Sequence, residues 1–271
     1  IGFGADVDLT HYNCNTMGGT IALSNPFGQT EITELYANDL SNQANMPDFT
    51  LTGNASVTGG RTVLTPSATG QNGYAQLTVP NFTAGLNNSM TVSFNMTADT
   101  PINTYGTGGA DGLAYSFGDD AAQASNGTGH NGKGTKLRLS FDAAGNSNEN
   151  GNVSGIYLVY GWTAANAFGP ASTQTLAYSA NTALWKIKTD IPVVLTINTE
   201  GKATVTVDGQ VVFSDIQLPA AYMTADVSNW KHLFSAQTGG DAMRQAVSNL
   251  SIEAGSLNYG ITDGNSATPP T

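Results

Sequence analysis

Three stretches of the chain set short oxygen-bearing side chains beside strand-like runs, and that arrangement suits two kinds of chemistry. In Gly109-Ala110-Asp111-Gly112-Leu113-Ala114-Tyr115 an acid flanked by small residues stands at the entrance of an apolar run. A carboxylate there can accept hydrogen bonds from two neighbouring hydroxyls of a sugar, and adjacent glycines let a ligand approach closely. In Leu137-Arg138-Leu139-Ser140-Phe141-Asp142 the acid closes the run, and Ala143-Ala144-Gly145-Asn146-Ser147-Asn148-Glu149-Asn150 follows. Side-chain and carbonyl oxygens of such a loop can converge on a hard cation such as calcium. In Phe234-Ser235-Ala236-Gln237-Thr238-Gly239-Gly240-Asp241-Ala242 a strand-like run ends in a glycine corner that can present backbone N–H groups and Asp241. Each stretch also has a plainer reading, because Asp and Asn are ordinary turn formers.

Other chemistries find less support. A retaining glycosidase needs two carboxylates about 5 Å apart, which on one strand face means acids at i and i+2 or i+4. No strand carries that pattern. Glu31-Ile32-Thr33-Glu34 has the wrong spacing and reads as the acidic start of a short helix. His11, His130 and His232 are scattered, without a nearby nucleophile and acid that would make a triad legible. The glycine-rich Gly106-Thr107-Gly108-Gly109 and Gly127-Thr128-Gly129 are not followed by a helix that would aim its N-terminus at a phosphate. The lone Cys14 lies close to His11, but it cannot make an internal disulfide or a multi-cysteine zinc site, and incidental thiols outnumber catalytic ones. An enzyme is therefore not expected.

The balance of charge narrows the partners. The 271 residues include 9 Lys and Arg against 20 Asp and Glu, a formal net charge of −11. Gripping nucleic acid or an anionic membrane requires clustered cations that this composition lacks, so neither is expected as a partner. With 39% apolar and 11% charged residues the chain can bury a sizeable core. It has no apolar run of about 18 residues and no signal-peptide pattern at its start, and so reads as a mature soluble fragment.

The elements that must position these acids are strands. Apolar residues alternate at a period of two in Thr91 to Met96, Leu113 to Phe117, Leu137 to Phe141 and Ile156 to Tyr160. Ala203 to Val207 and Gln210 to Phe213 flank Asp208-Gly209, which tolerates the positive φ angles of a type I′ turn and predicts a tight hairpin. Helix signals are confined to Glu31 to Ser41 and Leu218 to Met223, and the last plausible strand is Ala246 to Glu253. Long polar loops are expected from Asp119 to Gly134 and from Ala143 to Ser154. Many short strands with few helices point to an all-β sandwich of two antiparallel sheets packed face to face. The expected division is an N-terminal extension over 1–40, packing on or leading into a β-sandwich over 41–255, and a Gly-, Ser- and Pro-rich C-terminal linker over 256–271.

Taken in order, Ala110 to Tyr115, Leu139 to Asn146 and Phe234 to Gly240 resemble the L-type lectin superfamily with its concanavalin A-like jelly roll, including laminin-G-like and bacterial surface-protein modules. The resemblance covers roughly residues 45 to 254. It implies that Asp111 contacts sugar hydroxyls and follows a cis peptide bond, here Ala110–Asp111. It implies that Asp142 is a calcium-binding acid, that Ala144 ligates through its carbonyl, and that Asn146 binds both calcium and sugar. Gly239, Gly240 and Asp241 match the loop that closes one side of the saccharide pocket. Asn148, Glu149, Asn150 and Asn152 all stand where the family has a further aspartate, and of these Asn150 joins the expected ligand set. The acidic strand that serves a transition metal in plant members has no counterpart, so calcium alone is expected as the cofactor.

An aromatic platform would suit a sugar, because pyranose C–H faces stack on rings. Trp162, Phe168, Tyr105 and Trp230 are the candidates. The expectation is a calcium-dependent carbohydrate-binding module of a secreted or cell-surface protein, an adhesin of bacterial type with further domains in the same chain. A structural spacer without a sugar site, or a polysaccharide hydrolase or lyase on the same fold, are the alternatives. Asn54-Ala55-Ser56 and Asn81-Phe82-Thr83 are glycosylation triplets only in a eukaryotic secretory route.

Overall fold

A computed structural model describes residues 21–23, 29–78, 89–119, 136–145, 153–161, 169–258 and 261–263. Among them the strands are β1 (Ile21–Leu23), β2 (Gln29–Asn38), β3 (Phe49–Gly53), β4 (Ser56–Thr58), β5 (Arg61–Thr65), β6 (Asn72–Leu77), β7 (Ser89–Ile102), β8 (Gly112–Gly118), β9 (Leu137–Asp142), β10 (Gly155–Tyr160), β11 (Thr175–Ser179), β12 (Lys188–Ile197), β13 (Lys202–Val207), β14 (Gln210–Gln217), β15 (Lys231–Gln237), β16 (Ala242–Asn258) and β17 (Ile261–Asp263). The described helical structure is limited to single turns at Gln43–Asn45, Thr182–Leu184 and α1 (Ala220–Met223). The turn α1 follows Pro219, whose fixed φ of −60° suits the entry to a helix.

One compact unit runs from Thr33 to Ala254. Its two antiparallel sheets have the orders β11-β10-β9-β8-β15-β6-β3 and β14-β13-β12-β7-β16-β5-β4, with β2 pairing β16 beside the second path. In a second unit, composed of 1–32 and 255–271, β1 pairs β17 with Ile21 opposite Asp263.

Alternation explains how the sheets close on each other. Met90, Val92, Phe94 and Met96 of β7 are buried while the residues between them are partly exposed, and Val193 and Leu195 of β12 continue the apolar rows across the sheet. Leu113, Tyr115 and Phe117 of β8 and Leu137, Leu139 and Phe141 of β9 supply the facing surface. The two sheets meet where the Phe94 ring packs edge-on against Phe234, centroids 4.9 Å apart. This is the two-sheet sandwich that the period-two pattern predicts, in the jelly-roll form that the resemblance implies. The strands β8 and β9 are buried on both faces, with Ser116, Arg138 and Ser140 on the side turned away from the core.

The hairpin forms as its sequence dictates. Asp208 and Gly209 take φ values of 51° and 73°, and Val207 pairs with Gln210. The helix expected over Glu31 to Ser41 does not form. Residues 29–38 are a strand, because pairing with the long β16 overrides weak local helix propensity and because Ile32, Thr33 and Tyr36 favour extended backbone. Leu35 and Tyr36 pack on the core, and Tyr36 meets Phe49 edge-on at 5.9 Å. The strand expected over Ala246 to Glu253 is longer, running over Ala242–Asn258, and a further strand, β17, follows it where no strand was expected. No helix among the described residues is long and apolar enough to cross a membrane.

Candidate functional site

The three oxygen-bearing stretches come together because β9, β8 and β15 are neighbours in one sheet. Gly112 pairs with Asp142 on one side and with Gln237 on the other, so the residue before β8, the end of β9 and the turn after β15 share one end of the sheet. The backbone of Asp111 ties them. Its N–H donates to Gln237 O at 2.8 Å, and its carbonyl accepts from Ala143 N–H at 2.7 Å. The Ala110–Asp111 peptide bond is cis, as the resemblance implies.

Three acids are buried among the described residues, and all three stand here: Asp111 is 7% exposed, Asp142 0% and Asp241 3%. Buried carboxylates require partners, so a cluster of them marks a place where the chain spends structure on holding charge. A Cβ added at Gly239 would lie 3.0 Å from Asp111 Oδ1, so the glycine corner and the Asp111 carboxylate are in direct apposition. A Cβ at Gly240 would overlap Cε2 of Tyr105 and stand 2.9 Å from Cδ2. The ring of Tyr105 therefore lies against Gly240, yet the residue is 77% exposed. An aromatic ring that is held on one edge and open to solvent can stack on a sugar.

Asp241 is turned toward the loop that carries this ring. Its Oδ1 accepts from Tyr105 N–H at 2.6 Å, and its Oδ2 accepts from Thr107 N–H at 3.0 Å and from the Thr107 hydroxyl. Burial works to raise the Asp241 pKa, but the hydrogen bonds from Thr107 and from the backbone of Tyr105 and Thr104 outweigh it and hold the carboxyl below its ordinary value. The same loop is closed internally, with Gly108 N–H donating to Asn103 Oδ1 at 2.7 Å.

On the opposite side, Asp142 Oδ1 accepts the Ala144 N–H at 2.9 Å. Between Asp142 and Asp241 reaches Lys186, whose Nζ donates to Ala143 O at 2.8 Å and to Thr107 O. Burial lowers the Lys186 pKa, while the charges of Asp142 and Asp241 pull it back up. The carboxylate of Asp142 and the carbonyl of Ala144 are hard oxygen donors of the kind calcium takes. Among the described residues they are not joined by a cluster of three His, Cys, Asp or Glu side chains. Asn146 and Asn150 lie outside the described residues, as do Cys14, His11, His130, Trp162 and Phe168.

Two candidates leave the site. Trp230 is buried, with its ring edge-on to Phe117 at 4.9 Å and to Tyr222 at 5.9 Å, so it is core and not a platform. His232 is buried and shares a 2.6 Å hydrogen bond with the Tyr115 hydroxyl, which makes it a core histidine. Glu34 is exposed on strand β2, which is also where Glu31 falls, so the acidic start of a helix is replaced by a strand. Lys186 was not visible from the sequence. Its one signal is scarcity, as one of only 9 basic residues directly after the apolar Leu184-Trp185.

No protein-family model matches the chain, and no curated protein matches it. Solved structures do. The exoplasmic/lumenal domain of VIP36 in its Ca2+/Man3GlcNAc-bound form aligns over 86% of this chain and 93% of its own, with a TM-score of 0.60 at 15% identity. The carbohydrate recognition domain of Emp47p aligns over 82% and 96%, with a TM-score of 0.56 at 17% identity. The lectin from Bauhinia forficata in complex with GalNAc aligns over 85% and 100%, with a TM-score of 0.57 at 17% identity. The sheet orders, the meeting of three strand ends and these likenesses agree: the chain has the concanavalin A-like fold of the L-type lectins.

Proposed function

We propose that this chain is a carbohydrate-binding module of a secreted or cell-surface protein, an adhesin in which further domains present the lectin-like sandwich, and that it binds without catalysing. The observation that carries the reading is the gathering of three buried acids at one sheet end, beside an exposed Tyr105 ring seated on Gly240. Sugar recognition needs fixed acceptors for hydroxyl pairs and an apolar face for ring C–H groups, and this end of the sheet offers both. Asp111 is the hydroxyl acceptor, Tyr105 the face, and Gly239 and Gly240 the close wall. Asp241 serves the site through the loop it braces. The solved neighbours include forms bound to Ca2+ with mannose and a form bound to potassium, which supports a bound cation.

Asp142, the Ala144 carbonyl, Asn146 and Asn150 would hold calcium. The ion would fix the loop that carries Asn146, so that its amide meets the sugar in one orientation. The net charge of −11 suits a calcium-rich extracellular medium and a bacterial surface setting.

The test is a glycan array probed with the purified chain in millimolar calcium, repeated in excess EGTA and with Asp111→Asn. Binding to a defined glycan class that is lost with Asp111→Asn and weakened in EGTA is the expected result. A chain whose melting temperature rises with calcium but which binds no glycan would refute the sugar reading and leave a structural spacer.

A further inference from the structure

Lys186 is placed to act on both walls of the site at once. Its base is rigid: Trp185 is fully buried edge-on to Phe141 at 5.6 Å, and Lys186 N–H donates to Thr182 O at 2.9 Å, closing the turn Thr182–Leu184. From there the half-buried side chain reaches two carbonyls in separate segments, Thr107 O beside the platform loop and Ala143 O directly after Asp142. Gly108 is close enough that a Cβ there would lie 3.7 Å from Nζ. The charges that face the amine are Asp142 on one side and Asp241 on the other.

We propose that the Lys186 ammonium is a built-in cation that straps the Tyr105 loop to the Asp142 loop, so that the inner wall of the saccharide site is in place before any metal binds. The strap rests on the sugar reading for its purpose but not for its existence. An ammonium has three donors and no acceptor, so it satisfies carbonyls that face each other across a gap and offsets flanking carboxylates without closing the site to solvent. Ala143 O also accepts from the Ser154 hydroxyl at 3.1 Å, so the ammonium is a second donor there and ties that carbonyl to Thr107 O. Lys186 touches no sugar in this scheme and acts through Thr107, whose N–H and hydroxyl also hold Asp241 and so fix the backbone of Tyr105. Two anchors then set the platform: the carboxylate of Asp241 holds N–H groups, and the ammonium of Lys186 holds a carbonyl of the same short loop.

The experiment is amide hydrogen exchange on the full chain, in EGTA and in calcium, for the native protein, Lys186→Met and Lys186→Arg. The methionine keeps the stem and removes the donors. In EGTA the amides of Tyr105, Thr107 and Ala144 should exchange about tenfold or more faster in Lys186→Met, as loss of charge-assisted hydrogen bonds requires. The arginine variant, which restores charge and donors, should recover much of the protection. Amides of the β13–β14 hairpin should keep their native rates in both. Unchanged rates at the three site amides in Lys186→Met would overturn the proposal, and so would an equal acceleration in the hairpin, which reads general destabilisation. No glycan enters this measurement, so a chain that fails the array can still show the strap, and a chain without the strap can still bind sugar.

Discussion

Gly240→Ala separates the platform from the fold. The backbone at Gly240 lies outside the left-handed region, so alanine is conformationally allowed, and the three nearest atoms its Cβ meets all belong to the Tyr105 ring. With 77% of Tyr105 exposed, the ring can swing away at little cost. Stability should therefore stay within about 0.5 kcal/mol of the parent, or rise by a few tenths because alanine restricts the unfolded chain. Binding should respond differently, because a ring pushed off Gly240 no longer presents its face beside Asp111. An aromatic contact of this kind contributes about 0.5–1.5 kcal/mol, so the dissociation constant should rise about two- to tenfold. Titration calorimetry with the glycan selected on the array reads the affinity, and thermal unfolding of the same samples reads the stability. Tyr105→Ala should weaken binding by a similar factor, and the double variant should be no worse than either single one, since both remove the same contact. Native affinity in Gly240→Ala, or additive losses in the double variant, would refute the platform. A melting temperature that falls together with the affinity would refute the claim that the ring moves freely.

Asp241 and Thr107 make a pH-resistant brace: with the Asp241 pKa held below its ordinary 3.8, the ordering of the Tyr105 loop is fully present above 3.8 and lost only as pH falls through the lower folded value. Amide exchange of Tyr105 and Thr107 should thus be protected alike at pH 7 and pH 5, whereas Asp241→Asn should expose both amides at either pH. Burial pushes the His232 pKa from 6.5 down to about 3, so the unfolded chain takes a proton that the folded one refuses. Stability is full above pH 6.5 and falls toward pH 3 by up to about 1.4 kcal/mol per pH unit; urea midpoints at pH 7, 5 and 4 should fall more steeply for the native chain than for His232→Gln. Asp142→Asn tests the metal: calcium at about a hundred times its Kd should raise native stability by about 2.7 kcal/mol, near 5–10 °C in Tm for a domain of this size, and the variant should lose that shift. A calcium shift that survives Asp142→Asn would remove Asp142 from the ligand set.

What the sequence disclosed followed from how local each feature is. The strands β7, β8, β9, β10 and β13 announce themselves by alternation, and Asp208-Gly209 by the φ values that only such a pair adopts easily. Strand β2 did not, because Glu31-Ile32-Thr33-Glu34 is ambiguous by itself and acquires its extended form from pairing with β16, more than two hundred residues later. The site divides in the same way. Asp111, Asp142 and the Gly239-Gly240 corner were legible because each sits at the end of a recognisable run. The bond from Thr107 to Asp241 spans 134 positions and that from Lys186 to Ala143 spans 43, and neither leaves a local pattern. Trp230 and Tyr105 looked alike as aromatics near strand ends. Burial separates them, because Trp230 packs on Phe117 and Tyr222 while the Tyr105 ring lies against Gly240 and stays open to solvent.

The three buried acids look equivalent in the sequence and become three different devices once donors are assigned. Asp241 spends both oxygens on the N–H groups and hydroxyl of one loop, so its charge is stabilised where it stands and it works as a brace. Asp142 turns one oxygen back on its own chain at Ala144 and faces Lys186, so it organises the start of the loop that carries Asn146. Asp111 joins β15 to the loop after Asp142 through its backbone, and its carboxylate stands against the glycine corner at Gly239. Neutral variants of the three should therefore fail in distinct ways. Asparagine at 241 loosens Tyr105, asparagine at 142 removes the calcium response, and asparagine at 111 removes the sugar while both loops keep their order. A single shared defect in all three would mean that the acids form one electrostatic cluster, and that the division of labour drawn from their donors is wrong.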